Sequence, residues 1–177
     1  MTIRQGILNQ VETDLVNMQA QYGYELNYTK FVKGYIPAMQ VKNYPCVWYE
    51  FGVEKITKVG EGRFQQRAEQ NFAIGIHIKA DKLRGELTDT AEQVINDMKR
   101  FINKDVSISG YATSDHKVLN LNKVMSDNAA GAVGVQSWYI DEVYTVLDNA
   151  EGSGEIIFSI KIIYLDLSNS INNYASL

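Results

Sequence analysis

Between residues 71 and 102 the hydrophobic period of the chain changes once. Phe72, Ile74, Ile76 and Ile78 alternate with Asn71, Ala73, Gly75, His77 and Lys79, which is the two-residue repeat of a strand with one apolar face. A polar connection follows, from Ala80 to Thr88. Then Ala91, Val94, Ile95, Met98 and Ile102 recur at helical spacing, with Glu92, Asn96, Asp97, Lys99 and Arg100 on the other side. This predicts a helix over about 89–103, and Asp89 with Glu92 three residues on makes a capping-box-like start.

The same reading extends along the chain. Ile3, Ile7, Val11, Leu15, Met18 and Tyr22 form one stripe, which predicts a first helix from Thr2 to about Tyr22. Thr2 with Gln5 suits its start, and Gly23 suits its stop. Residues 25–36 alternate in part, through Leu26, Tyr28, Phe31 and Val32. Pro37 and Pro45 bracket a loop with a short strand expected at Ala38 to Val41. Cys46 to Ile56 is a strand with Val47, Tyr49, Phe51 and Val53 on one face and Trp48 on the other. Gly60-Glu61-Gly62 signals a turn, so 47–79 reads as a long antiparallel hairpin.

Later segments add two more strands. Residues 103–134 are polar and loop-rich, with a candidate short strand at Val118 to Val124 and a small-residue run at 128–134 expected to order on assembly. Val135 to Leu147 regains strand character through Trp138, Ile140, Val143 and Val146. Asp148 to Gly154 reads as a turn. Glu155 to Leu167 is nearly continuous in Ile, Phe, Tyr and Leu, the composition of a strand covered on both faces. The expected fold class is α+β: a mostly antiparallel sheet with the N-terminal helix and the helix at about 89–103 packed on it. The expected organisation is one domain over 1–167, with a polar tail at 168–177.

Composition narrows the function classes only slightly. The chain has 177 residues, of which 45% are hydrophobic and 21% charged, enough for one real core. The net charge is -4, and no Lys/Arg cluster suits a phosphate backbone. Arg63, Arg67, Lys79, Lys82 and Arg84 are interleaved with Glu61, Glu69, Asp81 and Glu86. Eleven tyrosines suit half-buried strands and protein interfaces alike. With Cys46 alone, no intrachain disulfide can form. The opening residues do not read as a secretory signal, and no run approaches the ~20 apolar residues of a membrane helix. Synthesis and folding in a cytoplasm are expected.

No catalytic, cofactor-binding or metal-ligating residue is assigned. His77 has no second ligand at metal spacing, and His116 lies in a polar Ser114-Asp115-His116-Lys117 run. Cys46 opens an apolar strand, as a buried thiol does. Glu50 with Glu54, or Asp141 with Glu142, would need to converge in space before serving as an acid–base pair. Gly131 and Gly134 do not form a dinucleotide loop, and no phosphate-binding Gly-Lys-Ser/Thr motif occurs.

The order of elements carries a resemblance. An N-terminal amphipathic helix precedes a loop with Pro37-Ala38. A strand opens with Pro45-Cys46-Val47, and its hairpin returns as Arg67-Ala68-Glu69-Gln70-Asn71-Phe72-Ala73-Ile74. The helix beginning Thr90-Ala91-Glu92-Gln93-Val94 follows, and the last strand is Phe158-Ser159-Ile160-Lys161-Ile162-Ile163-Tyr164. Over about residues 1–167 this resembles the tail terminator, or tail-completion, proteins of tailed bacteriophages. The longer stretch 103–134 departs from compact members of that family. The resemblance implies a structural virion protein, not an enzyme. It would form a homo-oligomeric, hexameric ring on the head-proximal end of the tail tube, end tube polymerisation and join the tail to the neck or head. Implied partners are the tail tube protein, a neck or head-completion protein and, in contractile tails, the sheath. Genomic DNA would pass through an acidic lumen without specific binding. Implied location is the virion, with assembly in the host cytoplasm. Other readings are a second kind of neck or tube ring, such as a head–tail joining or tube protein, and a small ligand-binding α+β domain.

Overall fold

The computed structural model describes residues 3–58, 66–80, 86–102, 118–121, 124 and 134–166. Within them the fold is α+β, as the periodicities predict. The elements are α1 (Ile3–Leu15), β1 (Lys30–Lys33), β2 (Cys46–Lys58), β3 (Gln66–Lys79), α2 (Leu87–Ile102), β4 (Val135–Asp148) and β5 (Ser153–Asp166). The strands form one sheet in the order β1-β2-β3-β5-β4. Only β1 and β2 run parallel; the other neighbours are antiparallel. The expected turn at 60–62, His116, residues 128–133 of the small-residue run and the tail 168–177 lie outside the described residues, as does most of the stretch 103–134.

Alternation decides which face is buried. Phe72, Ile74, Ile76 and Ile78 of β3 share a face with Val47 and Tyr49 of β2 and with Ile156, Phe158, Ile160, Ile162 and Tyr164 of β5. That face meets Ile3, Ile7, Leu8, Val11 and Leu15 of α1 and Leu87, Ala91, Val94, Met98, Phe101 and Ile102 of α2 in one hydrophobic core. α1 lies toward the β1–β2 side, where Tyr49 Oη donates to Glu12 Oε1 at 3.2 Å and the Arg4 guanidinium stands 4.5 Å over the Phe51 ring. α2 lies over β3, β5 and β4. Near its C-terminal end, Trp138 Nε1 donates to the carbonyl of Ile102 at 3.1 Å, giving a last-turn acceptor a partner. Trp138→Phe is expected to cost about 1 kcal/mol of stability, read by urea denaturation.

The opposite face is half open. Cys46 and Trp48 of β2, with Gly75 and His77 of β3, are buried there. Their cover comes from residues 34–45: the Tyr35 ring meets Trp48 edge-on with centroids 5.2 Å apart, and Tyr35 N donates to Glu50 Oε2 at 3.2 Å. On β5, Ile157, Ser159, Lys161 and Ile163 are half-buried on this side, whereas Ile156 to Tyr164 on the other are buried. The continuous apolar run of β5 therefore has one fully covered face, not two.

Three local expectations change for physical reasons. The first helix ends at Leu15 rather than near Tyr22. The backbone then tightens, with Asn17 N bonded to Asp14 O and Met18 N to Leu15 O, and a 3₁₀ turn follows at Ala20–Tyr22. Met18 stays fully buried, because tighter turns also return the third residue to the same side. Gly23 closes that turn in the left-handed region at φ 87°. Ala38–Gln40 is a 3₁₀ turn instead of a strand. The described residues from 118 to 124 form no strand; Leu119 N bonds to Phe101 O at 2.9 Å, and Leu119 and Leu121 plug the core beyond α2.

Candidate functional site

Three places gather polar groups. Asp97 on α2 is buried, and its carboxylate accepts from Glu25 N at 2.8 Å, Leu26 N at 3.1 Å and Tyr28 Oη at 3.0 Å. It ties the segment before β1 to the helix. Burial holds its carboxyl above the ordinary value, and the three hydrogen bonds pull it back. Burial likewise pushes the Tyr28 hydroxyl up, with the neighbouring carboxylate adding to it. This is a neutral phenol held by a structural acceptor. Sequence periodicity placed Asp97 on the polar side of α2 and missed this role.

The second place joins β2, β3 and β5 on the half-open face. Trp48 Nε1 donates to Glu155 Oε1 at 2.8 Å, and His77 Nε2 lies 2.7 Å from the carbonyl of Ile36 and 3.3 Å from the same Glu155 oxygen. A carbonyl only accepts, so Nε2 carries the proton. His77 thereby fastens the 34–45 loop to the sheet. Cys46 is buried beside it, and burial raises its thiol while Lys30 counters, which is the setting of an inert thiol. Glu50 bonds to Tyr35 N and Glu54 to the hydroxyl of Tyr164, so these two carboxylates serve separate contacts. Asp141 pairs with Lys161 at 3.4 Å, and Glu142 accepts from the Tyr144 hydroxyl. Among the described residues no three His, Cys, Asp or Glu side chains group as metal ligands do.

The third place is a cleft of about 710 Å³ between the 42–45 loop, the end of β3 and the start of α2. Leu26, Thr29, Lys42, Asn43, Tyr44, Pro45, Ile78, Lys79, Ala80, Thr90 and Gln93 line it. These described walls carry two lysines and no carboxylate, histidine or thiol, so they hold no acid–base pair.

Surface rather than cavity is the more unusual feature. The sheet order leaves β4 as an edge strand of 14 residues. Tyr139, Val143, Tyr144 and Val146 along it are exposed at 41%, 38%, 52% and 66%. By register, Val143 opposes Phe158 on the helix-covered side, whereas Tyr144 opposes Ile157 on the other. Both faces of this strand are therefore apolar and wet near its end. The half-open face itself carries Glu50, Glu69, Asp141, Glu142 and Glu155 against Lys30, Lys55, Arg67, Lys79 and Lys161, so its described charges balance. Among the described residues no helix is long and apolar enough to cross a membrane.

No family model matches the chain, and no curated protein matches it. Among solved structures, the chain is similar to one described as "Virion of native gene transfer agent (GTA) particle". The two are 13% identical with a TM-score of 0.43, over 90% of this chain and 92% of that one. At that TM-score the likeness assigns neither role nor partner.

Proposed function

We propose that this chain is a structural protein of a phage-type virion, and more specifically a tail terminator. In this reading copies of the chain close into a ring on the head-proximal end of a tail tube, stop its growth and present the surface that meets the neck or head. The chain acts by assembly and not by catalysis. The resemblance in the order of elements, from the N-terminal helix to the strand at Phe158–Tyr164, supports the terminator reading. The observation that carries the assembly reading is β4: a long strand at the sheet edge among the described residues, with exposed apolar side chains on both faces, is a template for another chain. A protein that works alone normally shields such an edge.

The lysine-bearing cleft favours the second reading, a small ligand-binding α+β domain. Negative-stain electron microscopy over a concentration series, with the chain alone and with purified tail tubes, separates them. Rings that cap one tube end are the expected result. Rings along the tube wall or stacked into tubes would replace the terminator with another tube or neck ring. Monomers that ignore tubes at every concentration would sink the virion reading and leave the cleft as the functional feature.

A further inference from the structure

Resting on the assembly reading above, we propose that β4 of one copy pairs antiparallel with β1 of the next, so that a single sheet runs from subunit to subunit around the ring. Among the described residues the order β1-β2-β3-β5-β4 leaves two open edges, and they differ in sign. The charged residues of β4 are Asp141, Glu142 and Asp148, all acidic. Those of β1 are Lys30 and Lys33, both exposed. Asp141 is engaged by Lys161, Asp148 accepts from Ala150 N and Glu151 N in the following turn, and Lys33 reaches Glu12 at 3.6 Å. Glu142, whose carboxylate accepts from the neutral Tyr144 hydroxyl, and Lys30 are therefore the charges to bring together.

Several of the usual protections of an edge are missing from the half of β4 after Glu142. The strand contains no lysine, arginine or proline, and its two register shifts fall before Glu142. From Glu142 to Asp148 the ladder with β5 is regular, and Tyr144 and Val146 within that half are the most exposed apolar side chains of the strand. Regular backbone with wet apolar side chains is what a new strand would cover.

Strand directions then fix the geometry. β2 runs with β1, β3 against it, β5 with it and β4 against it. Rotation about an axis along the strands leaves direction unchanged, so β4 meets a neighbour's β1 antiparallel. That contact is heterologous and closes as a ring when the rotation closes. Two-fold pairing of β4 with itself is disfavoured, because centring the regular half on its own copy sets Glu142 opposite Asp148.

The test is charge reversal in the full chain, with assembly followed by sedimentation velocity and mass photometry over a concentration series. Lys30→Glu and Glu142→Lys should each raise the half-assembly concentration about tenfold, and the double variant should return it to near the wild-type value. Val146→Lys places a charge on the edge from a different side chain and should block assembly while leaving the melting temperature unchanged. Wild-type rings unaffected by both reversals would overturn the edge pairing and leave the terminator reading intact. A wild-type product that stops at dimers would also overturn it. Rings that respond to the reversals but do not cap tubes would uphold the pairing and remove the terminator role. A chain that stays monomeric at all concentrations, with and without tubes, would overturn both.

Discussion

Gly75→Ala should lower the unfolding free energy by about 3 kcal/mol, and Gly75→Val by more. Trp48 lies directly across the ladder from Gly75, and its indole folds over the glycine. A Cβ built on Gly75 falls inside the space of the Trp48 Cε2, Nε1 and Cζ2 atoms. Something must move, and the indole is not free to do so. Trp48 is buried, its Nε1 is bonded to Glu155, and Tyr35 closes over it edge-on. The substitution therefore pushes on the strand, the carboxylate and the 34–45 loop together. A double-mutant cycle separates this clash from any general cost of altering β3. Trp48→Ala alone should cost about 3–5 kcal/mol. In that background Gly75→Ala should turn neutral or slightly stabilising, because alanine restricts the unfolded chain more than glycine. A Gly75→Ala penalty that is the same with and without Trp48 would show that the indole is not its cause. Chemical denaturation of the four proteins supplies the numbers.

The second large effect is expected at Asp97. Asp97→Ala should cost about 3–4 kcal/mol, since it strands two backbone N–H groups and the buried Tyr28 hydroxyl in the interior. Asp97→Asn keeps one acceptor oxygen but turns an amide donor toward a donor, and should fall between alanine and wild type. The charge also sets a pH dependence. Burial, the largest influence, raises the folded carboxyl above its ordinary value near 3.8. The folded state then binds the proton more tightly than the unfolded state. Stability from this group is fully present below the ordinary value and is lost as pH rises through the raised one. The unfolding free energy of the wild type, measured relative to Asp97→Asn, should accordingly decline as pH rises across that window. A difference that grows with pH there would mean that the three hydrogen bonds outweigh burial.

Local periodicity carried most of the elements. The helix expected at 89–103 appears as Leu87–Ile102, and the hairpin as β2 paired with β3. Both are amphipathic, so the pattern of one segment states which side is buried. What periodicity could not state is which strands are neighbours. The parallel pairing of β1 with β2, and the place of β5 between β3 and β4, depend on long-range packing. The same limit hid the exposed apolar edge. Trp138, Ile140, Val143 and Val146 read alike as strand residues, yet Trp138 and Ile140 pack on the core while Val143 and Val146 face solvent. Only the sheet order tells an edge from a centre. The tether at Asp97 was hidden for a related reason, because its partners lie about seventy residues away along the chain.

The central place of β5 bears on when the protein can fold as it is made. β5 pairs with β3 over fourteen positions and with β4 over nearly as many, and it is the last of the described strands. Until residues 153–166 have been synthesised, β3 has β2 alone as a partner and β4 has none. A nascent chain that stops short of them exposes the second side of β3 and the whole of β4 at once. Sheet closure is thus a late event with widely separated contacts, of the slow kind. The edge proposed to recruit a neighbour becomes a defined edge only when β5 has been laid beside it.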